Sequence, residues 1–199
     1  AKEIARVLGY KEKGEGMIGG KDGIVTWALG HLVTLEAPEG YHKAWANWEL
    51  ESLPMLPEKM KTTVISESRK QYKKVESLLR RKDITEIVIA TDAGREGELV
   101  ARWIIDKSGV KKPMKRLWIS SQTDRAIKEG FAHLRPSKDY DRLYQSAVAR
   151  AEADWLVGLN VTRALTCHYN AQLSAGRVQT PTLAELVRRE EEIANFRPK

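Results

Sequence analysis

The 199-residue chain has one cysteine, Cys167, and two phenylalanines. A single thiol excludes an intrachain disulfide and any thiolate metal cluster, and it fits a reducing compartment. No apolar run approaches the roughly 20 residues that a membrane-spanning helix needs, and no secretory leader opens the chain. A cytoplasmic location with no membrane partner is therefore expected. An initiator Met is missing too: the opening "AKEIARVLG" reads as the back half of a helix already under way, as though the chain were cut at its front. Repeats and low-complexity tracts are absent. What the chain has in excess is positive charge, with 34 Lys and Arg against 27 Asp and Glu, net +7. Such a surplus suggests a polyanionic partner, nucleic acid or an acidic membrane surface. A chain of this length buries a proper core as one large domain or two small ones.

The glycine-rich stretch 12–23 reads as a turn between short strands, and "IVTWALGHLVTL" (24–35) as a strand broken by Gly30. Residues 36–62 carry Pro38, Pro54 and Pro57 among several aromatics and read as a long ordered loop. Apolar Tyr72, Val75, Leu78 and Leu79 are spaced for a helix over 68–81 with a basic outer face. A buried strand at 86–90, a helix at 95–106, a strand at 115–120 and a helix at 123–134 with Thr123 as N-cap then follow with short connections. That alternation predicts an α/β domain, a sheet covered by helices, over residues 1–135. Beyond Pro136 the period lengthens: one long helix over 137–169 opened by Ser137, a polar loop, and a helix with Thr180 as N-cap and Pro181 in its first turn. Residues 136–199 are thus expected to form a mainly helical second part.

The stretch "IVIATDAGREGELVARW" (87–103) carries the chemistry. A β-branched run stops at Asp92, and Glu96 and Glu98 open the following helix. Carboxylates at the C-terminal end of a buried strand lie where open α/β folds bind ligands. Asp92 and Glu96 can converge on one hard cation, and Mg²⁺ takes one or two carboxylates, waters and phosphate oxygens. Arg95 could reach the same phosphate with its planar fork. The plainer reading makes Glu96 and Glu98 first-turn acids that complement the helix dipole, and Asp92 a turn former.

"TDAGREGELVARWI" resembles the acidic motif D-x-D-R-E-G-E of the Toprim domain as found in type IA DNA topoisomerases. "VTWALGHLVTL", "KRLWISS", "ARAEADWLVGLNVTRAL" and "LSAGRVQTPTLAELVRREEEI" resemble segments of the topoisomerase III branch in the same order, so the resemblance covers essentially the whole chain. It implies a Toprim (Rossmann-like) sheet followed by part of the adjacent helical domain. It also implies single-stranded DNA as partner, Mg²⁺ as cofactor, and strand cleavage and religation through a 5′-phosphotyrosine. By resemblance Asp92 and Glu96 are metal ligands, and Glu96 and Arg95 are catalytic. Gly94 departs from the motif where a second Asp usually stands, which favours one ion over two. Its tolerance of positive φ could relax the turn.

The resemblance also implies a glutamate on a strand preceding this chain's first helix and a tyrosine in a Y-P-R-T-like motif. Neither is found here: no tyrosine is followed by Pro-Arg-Thr. Cleavage by the chain alone is not expected.

Ser174, Ala175, Gly176, Arg177, Val178 and Gln179 form a loop leading into a helix N-terminus, suited to phosphate. The resemblance makes it a single-strand-binding segment and places Arg150, Trp155 and Arg163 near the DNA path, with Asn160 a weaker candidate. Arg150 and Asp154, four apart on a helix, would otherwise make a surface pair, and Trp155 would otherwise be core. Trp45 and Trp48 lie in an aromatic loop where bases could stack; the resemblance favours Trp48. His31 matches a position near the active site, but without a carboxylate or Cys near it in sequence it is not read as a metal ligand. Cys167 and His168 lack partners for a zinc site. The alternative in another class is a non-catalytic Toprim-containing module that grips single-stranded DNA. A Toprim nuclease or primase would not be expected to carry "SAGRVQTPTL".

Overall fold

The structure is a computed structural model that describes residues 1–197. Contacts divide the chain into two discontinuous units, residues 1–34 with 61–149 and residues 35–60 with 150–199. Packing therefore differs from a single cut at residue 135. Segment 35–60 leaves the first unit to pack with the second, and the long helix begins in one unit and continues in the other.

In the first unit, α1 (Lys2–Val7) precedes an antiparallel three-stranded sheet of β1 (Glu12–Gly14), β2 (Met17–Gly20) and β3 (Gly23–Thr26). The glycine-rich stretch is thus itself strand, with turns at residues 15–16 and 21–22, rather than one turn between strands. A two-stranded sheet pairs β4 (Val33–Leu35) with β5 (Thr62–Val64). The third sheet has the order β6-β7-β8: β6 (Ile87–Ile89) runs parallel to β7 (Met114–Arg116), which pairs antiparallel with β8 (Arg135–Pro136). Ile87, Val88 and Ile89 suit a pleated, half-buried strand.

Helix α2 (Arg69–Leu79) buries Tyr72, Val75 and Leu79. Helix α3 (Arg95–Ser108) buries Leu99, Trp103, Ile104 and Ile105, and supplies the crossover between the parallel strands β6 and β7. It ends at Gly109, whose φ of 69° is a left-handed cap that a Cβ would penalise. Helix α4 (Asp124–Ala132) begins as expected: Thr123 Oγ1 accepts a hydrogen bond from Ala126 N at 3.3 Å. Helix α5 (Asp141–Tyr169) follows a 3₁₀ turn at Ser137–Tyr140.

Three charges are buried together at the heart of this unit. Glu98 and Arg116 are fully buried and Arg102 nearly so. Arg116 Nε donates to Glu98 Oε1 at 2.5 Å and Arg102 Nε to Glu98 Oε2 at 2.9 Å. Arg102 continues to Asp141 Oδ1 and to the Ser137 carbonyl, both at 2.5 Å. Burial alone would lower the Arg102 pKa, but the hydrogen bonds to Asp141 and Glu98 outweigh it and hold the guanidinium above its ordinary value. Glu98 is therefore a structural carboxylate. It stands in the first turn of α3, as the plainer reading expects, and its side chain turns inward to neutralise two arginines.

In the second unit, residues 36–60 hold three 3₁₀ turns, Pro38–Gly40, Lys43–Ala46 and Leu50–Ser52, where a plain loop was expected. Side chains of α5 satisfy the loop's backbone. Trp155 Nε1 donates to the Glu36 carbonyl at 2.9 Å. Asn160 accepts from Met55 N at 2.6 Å and donates to Met55 O at 3.1 Å. Arg163 donates to the carbonyls of Trp45 at 2.6 Å and Asn47 at 3.2 Å. Helix α6 (Gln179–Ala194) starts two residues earlier than predicted, with Val178 rather than Thr180 at the N-cap. Thr180 lies inside the first turn, where its hydroxyl accepts from Gly176 N at 3.0 Å.

Removing one partner from the buried network leaves an uncompensated charge, which costs about 3–5 kcal/mol. Glu98→Gln is expected to lower stability by that amount in urea unfolding, while Asp92→Asn, at an exposed side chain, shifts it by less than about 0.5 kcal/mol.

Candidate functional site

The acidic turn owes its shape to Arg116. From the end of β7 its guanidinium donates to the carbonyls of Thr91 at 2.7 Å, Asp92 at 2.6 Å and Leu117 at 2.7 Å, with a longer bond to Ile89 at 3.2 Å. These bonds add to the Leu117 N–Ile89 O ladder bond and the Gly94 N–Asp92 O turn bond, both at 2.9 Å, and give the Thr91 carbonyl a partner beyond the end of β6. Thr91 Oγ1 closes the turn by donating to Gly97 O at 2.7 Å. Gly97 sits so close to the turn that a Cβ would lie 2.0 Å from the Asp92 carbonyl oxygen. Backbone carbonyls thus face inward, and the side chains of Asp92, Arg95 and Glu96 are left exposed.

Gly94 has another explanation than the expected relaxed turn. Its φ of 179° is extended backbone that any residue adopts, and a Cβ there would meet nothing within 4 Å. No steric demand keeps a second Asp out. His31 Nε2 lies 2.8 Å from Glu96 Oε1, so the fold brings to His31 the carboxylate that its sequence neighbourhood lacks. A cleft of about 760 Å³ opens beside Asp92, lined by the start of α1, Trp27–Leu29, Ala90–Ala93 and Ile119–Gln122.

The donors present are Asp92 and Glu96, both exposed, with His31 on one Glu96 oxygen. Among the described residues no three His, Cys, Asp or Glu side chains are grouped so as to hold an ion. Mg²⁺ is usually held by one or two carboxylates, with waters and phosphate oxygens completing its shell. The pair fits an ion completed by water and substrate, and does not fit a closed protein cage.

In the second unit several of the residues expected near DNA hold the loop's backbone. Arg163 is buried, and its guanidinium serves the loop carbonyls and lies 5.2 Å from the centre of the Trp48 ring. Trp155 spends its N–H on Glu36 and packs edge-on against Tyr41. Asn160 holds Met55. These three build the loop, because its buried backbone groups have few other partners. Trp48 remains half-exposed over Arg163.

The loop before α6 is anchored by two threonines of α5. Thr162 Oγ1 accepts from Ala175 N at 2.9 Å, and Thr166 Oγ1 donates to Leu173 O at 2.9 Å. Ala175 is therefore a buried anchor, whereas Ser174, Arg177, Val178 and Gln179 are exposed and Gly176 is half-buried. Arg177 Nε donates to Asp154 Oδ1 at 2.6 Å, and Arg150 Nε stands 3.7 Å from the same carboxylate. The expected Arg150–Asp154 pair is present but is the longer of the two. Cys167 and His168 gain no metal partners among the described residues.

The sequence reading missed Arg116, Gly97 and the Ser120–Gln122 wall of the cleft. The four-residue spacing of Glu98 and Arg102 was the one available signal for the buried network. Arg116, 18 residues beyond Glu98, carried none.

An acid-bearing turn at the C-terminal end of a parallel strand is an open α/β ligand site, and the Toprim domain model, matching residues 1–122, makes it that of a Toprim domain. A DNA topoisomerase model matches residues 138–199. The chain belongs to the Toprim family, on the type IA DNA topoisomerase branch. It is 64% identical over 197 residues to "DNA topoisomerase 3" of Bacillus thuringiensis (strain Al Hakam), covering 99% of this chain and 27% of that protein. "DNA topoisomerase 3" of Bacillus subtilis (strain 168) is 63% identical with the same coverage. Among solved structures, full-length topoisomerase I from Thermotoga maritima matches with a TM-score of 0.70 and 27% identity, over 100% of this chain and 30% of that one. The chain thus spans about a quarter of the length of these curated relatives.

Two glycine substitutions separate the turn's requirements. Gly94→Asp is expected to fold with stability within about 1 kcal/mol of wild type, as Asp is also a good N-cap. Added Mg²⁺ should raise its melting temperature more than that of wild type. Gly97→Ala should cost about 1–3 kcal/mol by overpacking. Differential scanning fluorimetry with and without Mg²⁺ reads both.

Proposed function

We propose that this chain is the Toprim-bearing portion of a topoisomerase that cleaves, passes and religates single-stranded DNA through a 5′-phosphotyrosine. In this reading the portion supplies the acidic site and strand contacts, while the tyrosine nucleophile comes from elsewhere in the parent protein. The observation that carries the reading is the Arg116 clamp, which fixes the Asp92 carbonyl inward and leaves its carboxylate, with Glu96, exposed beside a cleft.

Asp92 and Glu96 would hold Mg²⁺, whose chemistry is to neutralise phosphate charge and stabilise a departing oxygen. Arg95 would grip the phosphate next to the break with its planar fork. His31 would orient Glu96 through the 2.8 Å contact. In the second unit, exposed Arg177 and Gln179 at the start of α6 would take strand phosphates, Arg150 would add charge nearby, and Trp48, backed by Arg163, would offer one face to a base. DNA as substrate would place the protein in the cytoplasm. No helix among the described residues is long and apolar enough to cross a membrane.

The chain is expected to bind a single-stranded oligonucleotide with affinity that falls steeply with salt, largely without Mg²⁺, and to leave it uncut. Nicked product from the purified chain would overturn the division of labour. Arg177→Ala should weaken this binding and lower the salt slope by about 0.7, the value of one phosphate contact on a single strand. Its urea midpoint should not move. Unchanged affinity at moderate salt would remove the loop from the DNA path.

A further inference from the structure

The chain's net charge of +7 is unevenly divided. The first unit holds 25 Lys and Arg against 16 Asp and Glu, and the second 9 against 11. The unit with the strand-binding loop is therefore slightly acidic, and the basic surplus belongs to the α/β unit. Much of it gathers on the outer face of α2 and on the connection from α3 to β7. With Tyr72, Val75 and Leu79 buried, α2 leaves Lys70 and Lys73 exposed and Lys74 half-buried, and Arg80 is exposed at its C-cap. Arg81 and Lys82 follow at its end.

The connection from α3 to β7 is tied to the same end of α2. Lys112 Nζ donates to the carbonyls of Leu79 and Arg81, both at 2.6 Å, and Arg80 reaches Ser108 O at 2.7 Å. These bonds hold the segment that carries Lys111 to the end of α2, one residue before Lys82. Some of these cations are compensated: Lys70 and Lys74 share Glu15, Arg80 pairs with Glu76, and Arg81 with Asp83. Lys73, Lys82 and Lys111 are exposed and make no ion pair among the described residues.

We propose that this face is a second nucleic-acid surface, one that takes the backbone of duplex DNA. Uncompensated like charges on one face repel one another, and a polyanion relieves that repulsion. The exposed positions of α2 include no aromatic side chain, so the face lacks the stacking platforms by which single strands are held. It offers charge along roughly 16 Å of helix, and duplex DNA presents a phosphate charge about every 1.7 Å of its axis. The surface would hold a duplex without reading its bases. The choice of DNA as the polyanion rests on the function proposed above; the place and character of the surface do not.

The test is the salt dependence of binding to a blunt 20-base-pair duplex, followed by fluorescence anisotropy. The protein is compared with a Lys73→Ala, Lys82→Ala, Lys111→Ala triple variant. A second triple, Lys128→Ala, Lys138→Ala, Arg142→Ala, removes the same charge from exposed sites elsewhere in the unit. Each lost phosphate contact lowers the slope of log K against log salt by about 0.9, so the first triple should lose about 2–3 in slope and roughly tenfold or more in affinity at moderate salt. The second triple should stay near wild type, with urea midpoints unchanged in both.

Equal losses in the two triples would reduce the effect to net charge and overturn the proposal, as would an unchanged slope in the first. A larger loss for a single-stranded 20-mer than for the duplex would overturn the assignment of the partner. Absence of duplex binding by the wild-type protein would overturn it too, while leaving the single-strand reading, tested through Arg177, to stand or fall separately.

Discussion

The buried pairing of Arg116 with Glu98 is the interaction on which the first unit depends. Taking three charges out of water costs several kcal/mol each, and only near-complete hydrogen bonding offsets that cost. The network meets the condition. Glu98 accepts from both arginines, Arg116 also takes four carbonyls at the ends of β6 and β7, and Arg102 continues to Asp141 and Ser137. One guanidinium thus fixes two strand ends and, through Glu98, the helix that crosses between them. The turn that carries the exposed pair Asp92 and Glu96 is held from within by the fully buried Arg116 and Glu98, which gives a precise site on a short, three-stranded sheet.

The second unit solves a different problem by similar means. A loop with three prolines and little regular structure must satisfy its backbone, and α5 provides Trp155, Asn160 and Arg163 to do so. Each resembles a ligand-binding residue by type and becomes a structural one by position. What remains exposed, Ser174, Arg177, Val178, Gln179, Arg150 and one side of Trp48, is a smaller set than the sequence suggests. It is also set on a unit with slightly more acid than base, so its affinity for a strand must come from placed contacts more than from a general field.

Much of the fold was legible in the chain because local rules decide it. The spacing of Tyr72, Val75 and Leu79 gave α2, Thr123 gave the start of α4, and the β-branched run before Asp92 gave β6. The misreadings share one cause. Thr180 has the right chemistry for a cap, but the loop anchored by Thr162 and Thr166 starts the helix before it. Gly94 looks like a turn glycine and is extended. The glycine that the turn needs is Gly97, three residues on, because the Asp92 carbonyl presses against it.

By itself, the sequence determined the kind of protein this is: a basic chain whose acidic turn and helical extension follow the type IA topoisomerase pattern, since motif residues and periodicities are local and survive being read in order. Only the tertiary structure decided which polar residues face a ligand and which hold the fold. Glu96 and Glu98 stand two apart and would be read alike. One meets His31 at the surface and the other meets Arg116 in the core, because an α-helix turns about 200° over two residues and the partner that settles each role lies far away in the chain.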